Sequence, residues 1–191
     1  MTATSREKMV GSTVLLLREY GLTGTSVRDV VEHSGAPRGS IYHHFPDGKV
    51  QMVEEAVAFA GNSITVAIER VAEDVGPIEA LATFIEIWRQ VLIASDFRAG
   101  CPVVAVAAEV QEDPAENTRL AKATAAVFSS WTGALADGFT GLGVDRTRAK
   151  SLSTLMIASI EGAVVMCRAQ RSTAALDDVG SELAALVKAA V

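Results

Sequence analysis

Residues 25–49 read TSVRDVVEHSGAPRGSIYHHFPDGK, and this stretch carries the strongest structural signal of the chain. Ser26 and Asp29 have the spacing of a capping box, which satisfies the free backbone N–H groups at the start of a helix. Gly35 can adopt the left-handed conformation that ends a helix, and residues 37–44 follow as a second short helix. Two short helices joined by a tight turn predict a helix-turn-helix.

The second of these helices carries more polar residues than it can bury. The apolar residues spaced to pack between the two helices are Val27, Val30, Val31 and Ile41. The polar residues left for a partner are Arg38, Ser40, Tyr42 and His43. A short helix can enter the major groove of DNA, where arginine binds guanine through two hydrogen bonds and serine or tyrosine reaches phosphate or a base edge. Gly39 would let the backbone come close, and Lys8 and Lys49 would attract phosphates. A helical hairpin with solvated polar residues is the alternative.

The longer stretch 25–57, TSVRDVVEHSGAPRGSIYHHFPDGKVQMVEEAV, resembles the DNA-binding signature of the TetR family of transcriptional regulators. The resemblance covers roughly residues 6–60. It implies that Thr25 and Ser26 contact phosphates from the start of the second helix. It implies contacts to bases or backbone in the groove for Arg38, Gly39, Ser40 and His43. It further implies that Tyr42 and His44 hold phosphates and that Lys49 anchors the next helix.

Two features depart from the usual family pattern. The step from Phe45 to Lys49 is one residue longer than in most members, and Val31 stands where a small residue often packs between the helices. The longer step, together with GCPVVAVAAE at residues 100–109, resembles the LmrA/YxaF-like branch. Members of that branch respond to drugs or other small molecules.

Helical periodicity continues along the rest of the chain without a convincing strand alternation. We therefore predict an all-α protein of about nine helices. Residues 1–50 are expected to form a three-helix domain containing the helix-turn-helix. Residues 51–191 are expected to form a helical bundle that binds an effector and dimerises. Pro77, Asp113-Pro114 and Asp145 mark the starts of three of its helices.

The charge distribution restricts DNA binding to one end of the chain. The net charge of the 191 residues is −6. Residues 1–50 hold six Lys or Arg and five Asp or Glu, whereas residues 51–191 hold 11 and 18. Only the N-terminal quarter can approach a polyanion.

Composition indicates a folded protein of a reducing compartment. Hydrophobic residues make up 49% and charged residues 21% of the chain. Cys101 and Cys167, without a secretory signal, do not indicate a disulfide framework and are expected to be small packed residues. We find no apolar run long enough to cross a bilayer, and expect a cytoplasmic protein that does not bind membranes.

Aromatic and methionine residues of the later helices are candidates for an apolar ligand site. They are Phe84, Trp88, Phe128, Trp131, Met156 and Met166. Such side chains can line a cavity between helices or simply form the core, and the family resemblance implies a cavity among them. Glu109 and Glu161 lie between apolar stretches and are candidates to orient the polar end of a ligand, although each could also face solvent or pair with arginine.

The last two helices are apolar on more than one face, which predicts a homodimer with a four-helix interface. In such a dimer the second helix of each helix-turn-helix, the recognition helix, would lie one or more DNA turns from its copy, and the two would bind a palindromic operator. An apolar ligand that favours another spacing of these helices would release a repressor from its operator. A dimeric DNA-binding protein without an effector is the alternative.

An enzyme is the main rival class. The three histidines lie in or beside the helix-turn-helix, and His43 and His44 are adjacent, so they point to different faces of a helix and cannot form a metal pair. No nucleophile elbow, phosphate loop or CxxC pattern occurs. We expect neither catalysis nor a metal or other cofactor.

Overall fold

The computed structural model describes residues 4–37, 41–74, 76–109 and 114–191, with the side chains of all but 71–74 and 114–117. Within these ranges the chain forms nine α-helices and no β-strand, which confirms the predicted fold class. In chain order the helices are α1 (Ser5–Tyr20), α2 (Val27–Ser34), α3 (Ile41–His44), α4 (Gly48–Asp74), α5 (Pro77–Ala94), α6 (Pro102–Glu109), α7 (Pro114–Gly141), α8 (Arg146–Gln170) and α9 (Ala174–Ala190).

The helices form two compact units. The first unit comprises Met1–Asn62 and Cys101–Val127, and the second comprises Ser63–Gly100 and Phe128–Val191. The long helices α4 and α7 contribute residues to both. The prediction divided the chain at residue 50 by function, whereas these units are defined by how compactly the helices pack. The functional division therefore stays a prediction.

In the first unit, α1 packs against α2 and against α6. The wedge between the helices of the helix-turn-helix is filled as predicted, since Val30, Val31 and Ile41 are buried and Val27 is half-buried. Phe45, the residue after α3, is fully buried. These buried residues form the apolar core of the helix-turn-helix.

Local capping chemistry sets the helix boundaries where the sequence predicted them. Ser26 caps α2, and Gly35 ends it in the left-handed conformation with φ 65° and ψ 17°. Pro77 opens α5, and the side chain of Asp145 caps α8. The predicted cap at Asp113 lies outside the described residues.

In the second unit, α8 packs against α9, and α5 packs against both. Its buried core includes Trp88, Trp131, Leu152, Leu176 and Leu183. Both cysteines of the chain are buried, Cys167 in this unit and Cys101 in the first.

The expectation that no apolar stretch of the chain is long enough to cross a bilayer was wrong. An 18-residue window of α8 has a mean hydropathy of 1.4, so this helix is long and apolar enough to cross a bilayer. However, 44% of that window is buried within the chain, where α8 contacts α5 and α9. Core helices of globular proteins have this composition too, because a helix that is buried on most sides is apolar on most sides.

Candidate nucleic-acid interface and apolar cavity

The start of α2 presents Ser26 at the surface. The Ser26 hydroxyl accepts a hydrogen bond from the Asp29 backbone N–H at 3.2 Å and donates one to the Asp29 carboxylate at 2.6 Å. Asp29 Oδ2 also accepts the Ser26 N–H at 3.1 Å, which completes the predicted capping box. These hydrogen bonds from Ser26, with the nearby charges of Arg28 and Lys49, lower the pKa of the Asp29 carboxyl. The first turn of α2 is therefore fixed by its own side chains.

Thr25 is placed differently from its predicted role. It is fully buried, and its hydroxyl donates to the Gly21 carbonyl at 2.7 Å. Its backbone N–H donates to the Leu22 carbonyl at 3.4 Å. Thr25 therefore holds the turn between α1 and α2, and in this arrangement its hydroxyl is not presented to a phosphate.

Helix α3 exposes two of the predicted DNA contacts. The side chain of Tyr42 is 70% exposed, His43 is also exposed, and His44 is half-buried. The rings of His43 and His44 meet edge to face with centroids 5.2 Å apart. Arg38, Gly39 and Ser40 lie outside the described residues, so their roles stay predictions.

Lys49 binds the protein backbone. Its Nζ donates to the Leu22 carbonyl at 2.7 Å, and its side chain is half-buried. The family resemblance implied that Lys49 anchors α4. In the structure, Lys49 ties the start of α4 to a backbone carbonyl oxygen of the α1–α2 turn. No local sequence signal connects two residues that are 27 positions apart.

Glu109 binds the same turn from the end of α6. Its Oε1 accepts the Leu22 N–H at 3.2 Å, and its Oε2 accepts the Thr23 N–H at 2.7 Å. Partial burial acts to raise the pKa of this carboxyl, but the hydrogen bonds from Thr23 and Leu22 and the charge of Lys49 outweigh it, so the pKa is lowered. The sequence suggested a ligand contact for Glu109, whereas the structure places it against the helix-turn-helix in the first unit.

The second unit contains an apolar cavity of about 420 Å³. Residues from α4, α5, α7 and α8 line it, including two of the predicted ligand contacts, Phe84 and Met156. Other large lining residues are Ile68, Ile87, Phe139 and Leu142. Among the lining residues with described side chains, Thr83 alone is polar. The cavity therefore suits an apolar molecule, and its volume lies within the usual range for small-molecule sites.

The other predicted ligand contacts do not line this cavity. Trp131 is 1% exposed and packs edge to face on Phe128, with centroids 5.6 Å apart, and Trp88 is also buried. Trp88 and Trp131 belong to the core, and Phe128 is half-buried against Trp131. Glu161 is half-buried on α8 and is not among the lining residues. The lining residues Ile87 and Leu142 were missed, since both are about half exposed and periodicity favours the fully buried positions.

Helix α8 also has an exposed apolar face. Its members are Leu155, Ala158, Gly162, Val165 and Met166, which recur every three or four residues along one side. A Cβ atom built on Gly162 meets nothing within 4 Å, so the centre of this face is open. Single exposed apolar residues are normal on a surface, but a continuous apolar stripe indicates an interaction.

Comparison with known proteins identifies the class. The sequence model for the N-terminal domain of bacterial regulatory proteins of the TetR family matches residues 12–56. The model for the C-terminal domain of LmrA/YxaF-like transcriptional regulators matches residues 77–182. The chain belongs to the TetR family of transcriptional regulators, in its LmrA/YxaF-like branch.

Relatives match nearly the whole chain. The HTH-type transcriptional regulator Rv0196 of Mycobacterium tuberculosis is 40% identical over 96% of this chain and 94% of its own length. The HTH-type transcriptional regulator LmrA of Bacillus subtilis is 30% identical over 96% of this chain and 97% of its own. Both relatives carry the name of HTH-type transcriptional regulators, and the family to which this chain belongs consists of DNA-binding transcriptional regulators, which are not enzymes.

The fold agrees with solved structures of the same class. A TetR transcriptional regulator from Legionella pneumophila superposes with a TM-score of 0.84 at 17% identity, covering 95% of this chain and 96% of that one. A regulatory protein TetR from Rhodobacter sphaeroides gives a TM-score of 0.82, also at 17% identity, over 95% and 98% of the two chains.

Proposed function

We propose that this protein represses transcription as a homodimer that binds palindromic operator DNA and is released by a small apolar molecule. The observation that carries the proposal is the apolar cavity of the second unit, in a chain whose first unit has the DNA-binding fold of the family. Its operator lies on bacterial DNA, so we expect the protein in the cytoplasm.

The DNA contacts we propose are a revised form of the predicted set. Ser26 and Tyr42 are exposed and would bind phosphates, and His43 would face the groove. Arg38, Gly39 and Ser40 keep their predicted roles in the groove, and His44 would hold a phosphate with the exposed part of its ring. Thr25 and Lys49 leave the set, because both make hydrogen bonds within the α1–α2 turn.

The ligand we propose is neutral and of drug size. No lining residue that the structure describes carries a charge, and burying an ionised group without a partner is costly. Phe84 and Met156 would contact its apolar surface, and the Thr83 hydroxyl can bind one polar group. This cavity favours a ligand-responsive regulator over the alternative of a dimeric DNA-binding protein without an effector, for which a filled bundle would be expected.

The dimer we propose uses the exposed face of α8. An isologous contact buries this apolar stripe against its own copy, and Gly162 at its centre allows two helices to approach closely. Two recognition helices would then lie about 34 Å apart or a multiple of that distance, and would bind the two halves of a palindrome. A ligand that prefers a different arrangement of the dimer lowers operator affinity by its differential affinity for the two states.

Operator selection from a random DNA pool, followed by ligand release, tests the proposal. We expect the selected sites to be palindromic. N-phenyl-1-naphthylamine, a neutral apolar dye, should fluoresce on binding and lower operator affinity, and an operator placed over a reporter promoter should reduce transcription. Asymmetric sites would contradict the dimer, and dye binding without any loss of affinity would contradict release from this cavity.

A further inference from the structure

The turn between α1 and α2 is held by two charged side chains from outside the helix-turn-helix. Lys49 Nζ donates to the Leu22 carbonyl at 2.7 Å, and the Glu109 carboxylate accepts the N–H groups of Leu22 and Thr23 at 3.2 and 2.7 Å. We call these two side chains with the Leu22–Thr23 backbone the turn clamp. Both polar groups of the Leu22 residue are thus bound by ionised side chains.

The turn is shaped to admit the Glu109 carboxylate. Gly21 has φ 73°, and a Cβ atom built on it would lie 2.1 Å from Glu109 Oε1. A Cβ on Gly24 would lie 2.3 Å from the Tyr20 carbonyl oxygen. Any side chain at Gly21 would therefore displace Glu109, and one at Gly24 would distort the turn itself.

The turn clamp lies directly before the DNA-contacting end of α2. Thr25 follows the clamped residues and bonds back to Gly21 and Leu22, and Ser26 comes next as the exposed cap. The position of Ser26 is therefore determined by the turn, and the position of the turn by Lys49 and Glu109. Charge-assisted hydrogen bonds to the backbone are short and directional, which makes them suited to fixing such a segment.

We propose that Lys49 and Glu109 are positioning residues for operator binding, which hold the start of α2 in place through the turn clamp. This inference rests on the operator binding proposed above. Without the Glu109 carboxylate, the backbone N–H groups of Leu22 and Thr23 lose this acceptor, so the start of α2 is held less firmly. Neither residue needs to touch DNA for this effect.

The substitution Glu109→Gln separates positioning from charge. It makes each chain less negative, so electrostatics alone predicts tighter binding to DNA. Loss of the turn clamp predicts the opposite for the operator, a fall in affinity of about tenfold or more, with little change on a scrambled duplex. Glu79→Gln, at an exposed acid in the first turn of α5, changes the charge equally and serves as the control.

Gel-shift titrations measure the affinity of both variants for both duplexes, and circular dichroism confirms that each variant is folded. Operator binding by Glu109→Gln equal to or tighter than that of the wild type overturns the proposal. If Glu109→Gln is unfolded, Glu109→Asp tests the same contact, because it keeps the charge but its carboxylate is one methylene too short to reach both N–H groups; operator binding equal to that of the wild type would again overturn the proposal.

The substitution Lys49→Met tests whether Lys49 positions the turn or holds a phosphate. A positioning role predicts weaker operator binding with an unchanged slope of log affinity against log salt. A phosphate role predicts that the slope becomes shallower by about 0.9 for each phosphate that the variant no longer neutralises, and that result would overturn the assignment of Lys49. The double variant should lose less than the product of the two single losses, because both residues bind the same turn.

Failure of this inference is distinguishable from failure of the proposed ligand response. If Glu109→Gln binds the operator more weakly but the dye does not release the wild type from DNA, the turn clamp is supported and the proposed ligand response is contradicted. Normal release of the wild type by the dye, with unaltered Glu109→Gln binding, contradicts the turn clamp alone.

Discussion

The first unit presents polar groups to a partner and fixes them with charged hydrogen bonds, whereas the second unit presents apolar surfaces and fixes them by packing. In the first, Lys49 and Glu109 bind the Leu22–Thr23 turn. In the second, the described residues that line the cavity include one polar side chain, and α8 exposes an apolar stripe. Directional bonds suit the reading of DNA, in which sub-ångström placement matters. Packing suits the roles proposed for the second unit, which are ligand binding and association with a second copy.

This contrast predicts how each unit fails. A polar change in the second unit should abolish assembly or ligand binding, and a loss of hydrogen bonds in the first should change operator affinity without changing assembly. Paired substitutions, one in a proposed surface and one outside it, can test whether the two units differ in this way.

The largest effect is expected from Val165→Asp. This change places a carboxylate in the proposed α8 interface of each protomer, where it is desolvated without a partner. We expect a monomer at micromolar concentration in sedimentation velocity, and a loss of operator affinity of about 100-fold or more, because the two half-sites are no longer bound together.

Ile93→Asp is the matched control for this change. Val165 is 51% exposed and Ile93 is 54% exposed, so both substitutions remove a similar apolar surface. The Ile93→Asp protein should remain dimeric and bind DNA normally. A dimeric Val165→Asp protein would show that this face of α8 is not the interface.

The next largest effect is expected from Arg38→Ala. Loss of a two-bond contact to guanine should cost about 1–3 kcal/mol on the operator and much less on a scrambled duplex. Arg28→Ala, at an exposed arginine of α2, should weaken both duplexes evenly if it acts through phosphate. Gel-shift titrations measure both, and equal losses on the two duplexes for Arg38→Ala would remove it from the base contacts.

Local chemistry in the sequence was sufficient to predict the helix-turn-helix. The Ser26 capping box, the Gly35 cap and the apolar wedge each depend on residues a few positions apart, and each is present. The start of α5 at Pro77 was predicted for the same reason.

Contacts between distant residues were not predictable in this way. Glu109 lies 87 positions from Leu22, and its apolar neighbours suggested a ligand contact instead. Trp131 and Phe84 look alike in sequence, but the rotation of each helix decides that one packs in the core and the other lines the cavity. The family resemblance implied that Thr25 contacts a DNA phosphate. Its hydroxyl instead donates a hydrogen bond to the Gly21 carbonyl, and this bond depends on the geometry of the turn, which the sequence does not reveal.

A smaller effect is expected from Ala80→Phe, which places a ring in the cavity. Ala80 lines the cavity, whereas Ala82 on the same helix is exposed and does not. We expect Ala80→Phe to weaken binding of N-phenyl-1-naphthylamine about tenfold and to leave operator binding without dye unchanged. Ala82→Phe should bind the dye as the wild type does. Equal dye affinity in all three proteins, measured by fluorescence titration, would place the ligand elsewhere.

The smallest effect on operator binding is expected from removing a helix N-cap, a feature that both units contain. Ser26 caps α2 in the first unit, and Asp145 Oδ1 caps α8 in the second by accepting the N–H groups of Thr147 and Arg148 at 2.9 and 3.2 Å. Substitution of either residue by alanine should lower the free energy of unfolding by about 1 kcal/mol, measured by denaturant titration.

The two variants should differ in DNA binding, because Ser26 is also a proposed phosphate contact and Asp145 is not. We expect Ser26→Ala to weaken operator binding roughly fivefold, the usual value of one hydrogen bond, and Asp145→Ala to leave it unchanged. Equal operator losses in the two variants would mean that the effect is transmitted through stability. In that case Ser26 would be a helix cap and nothing more, and the proposed phosphate contacts would reduce to those of α3.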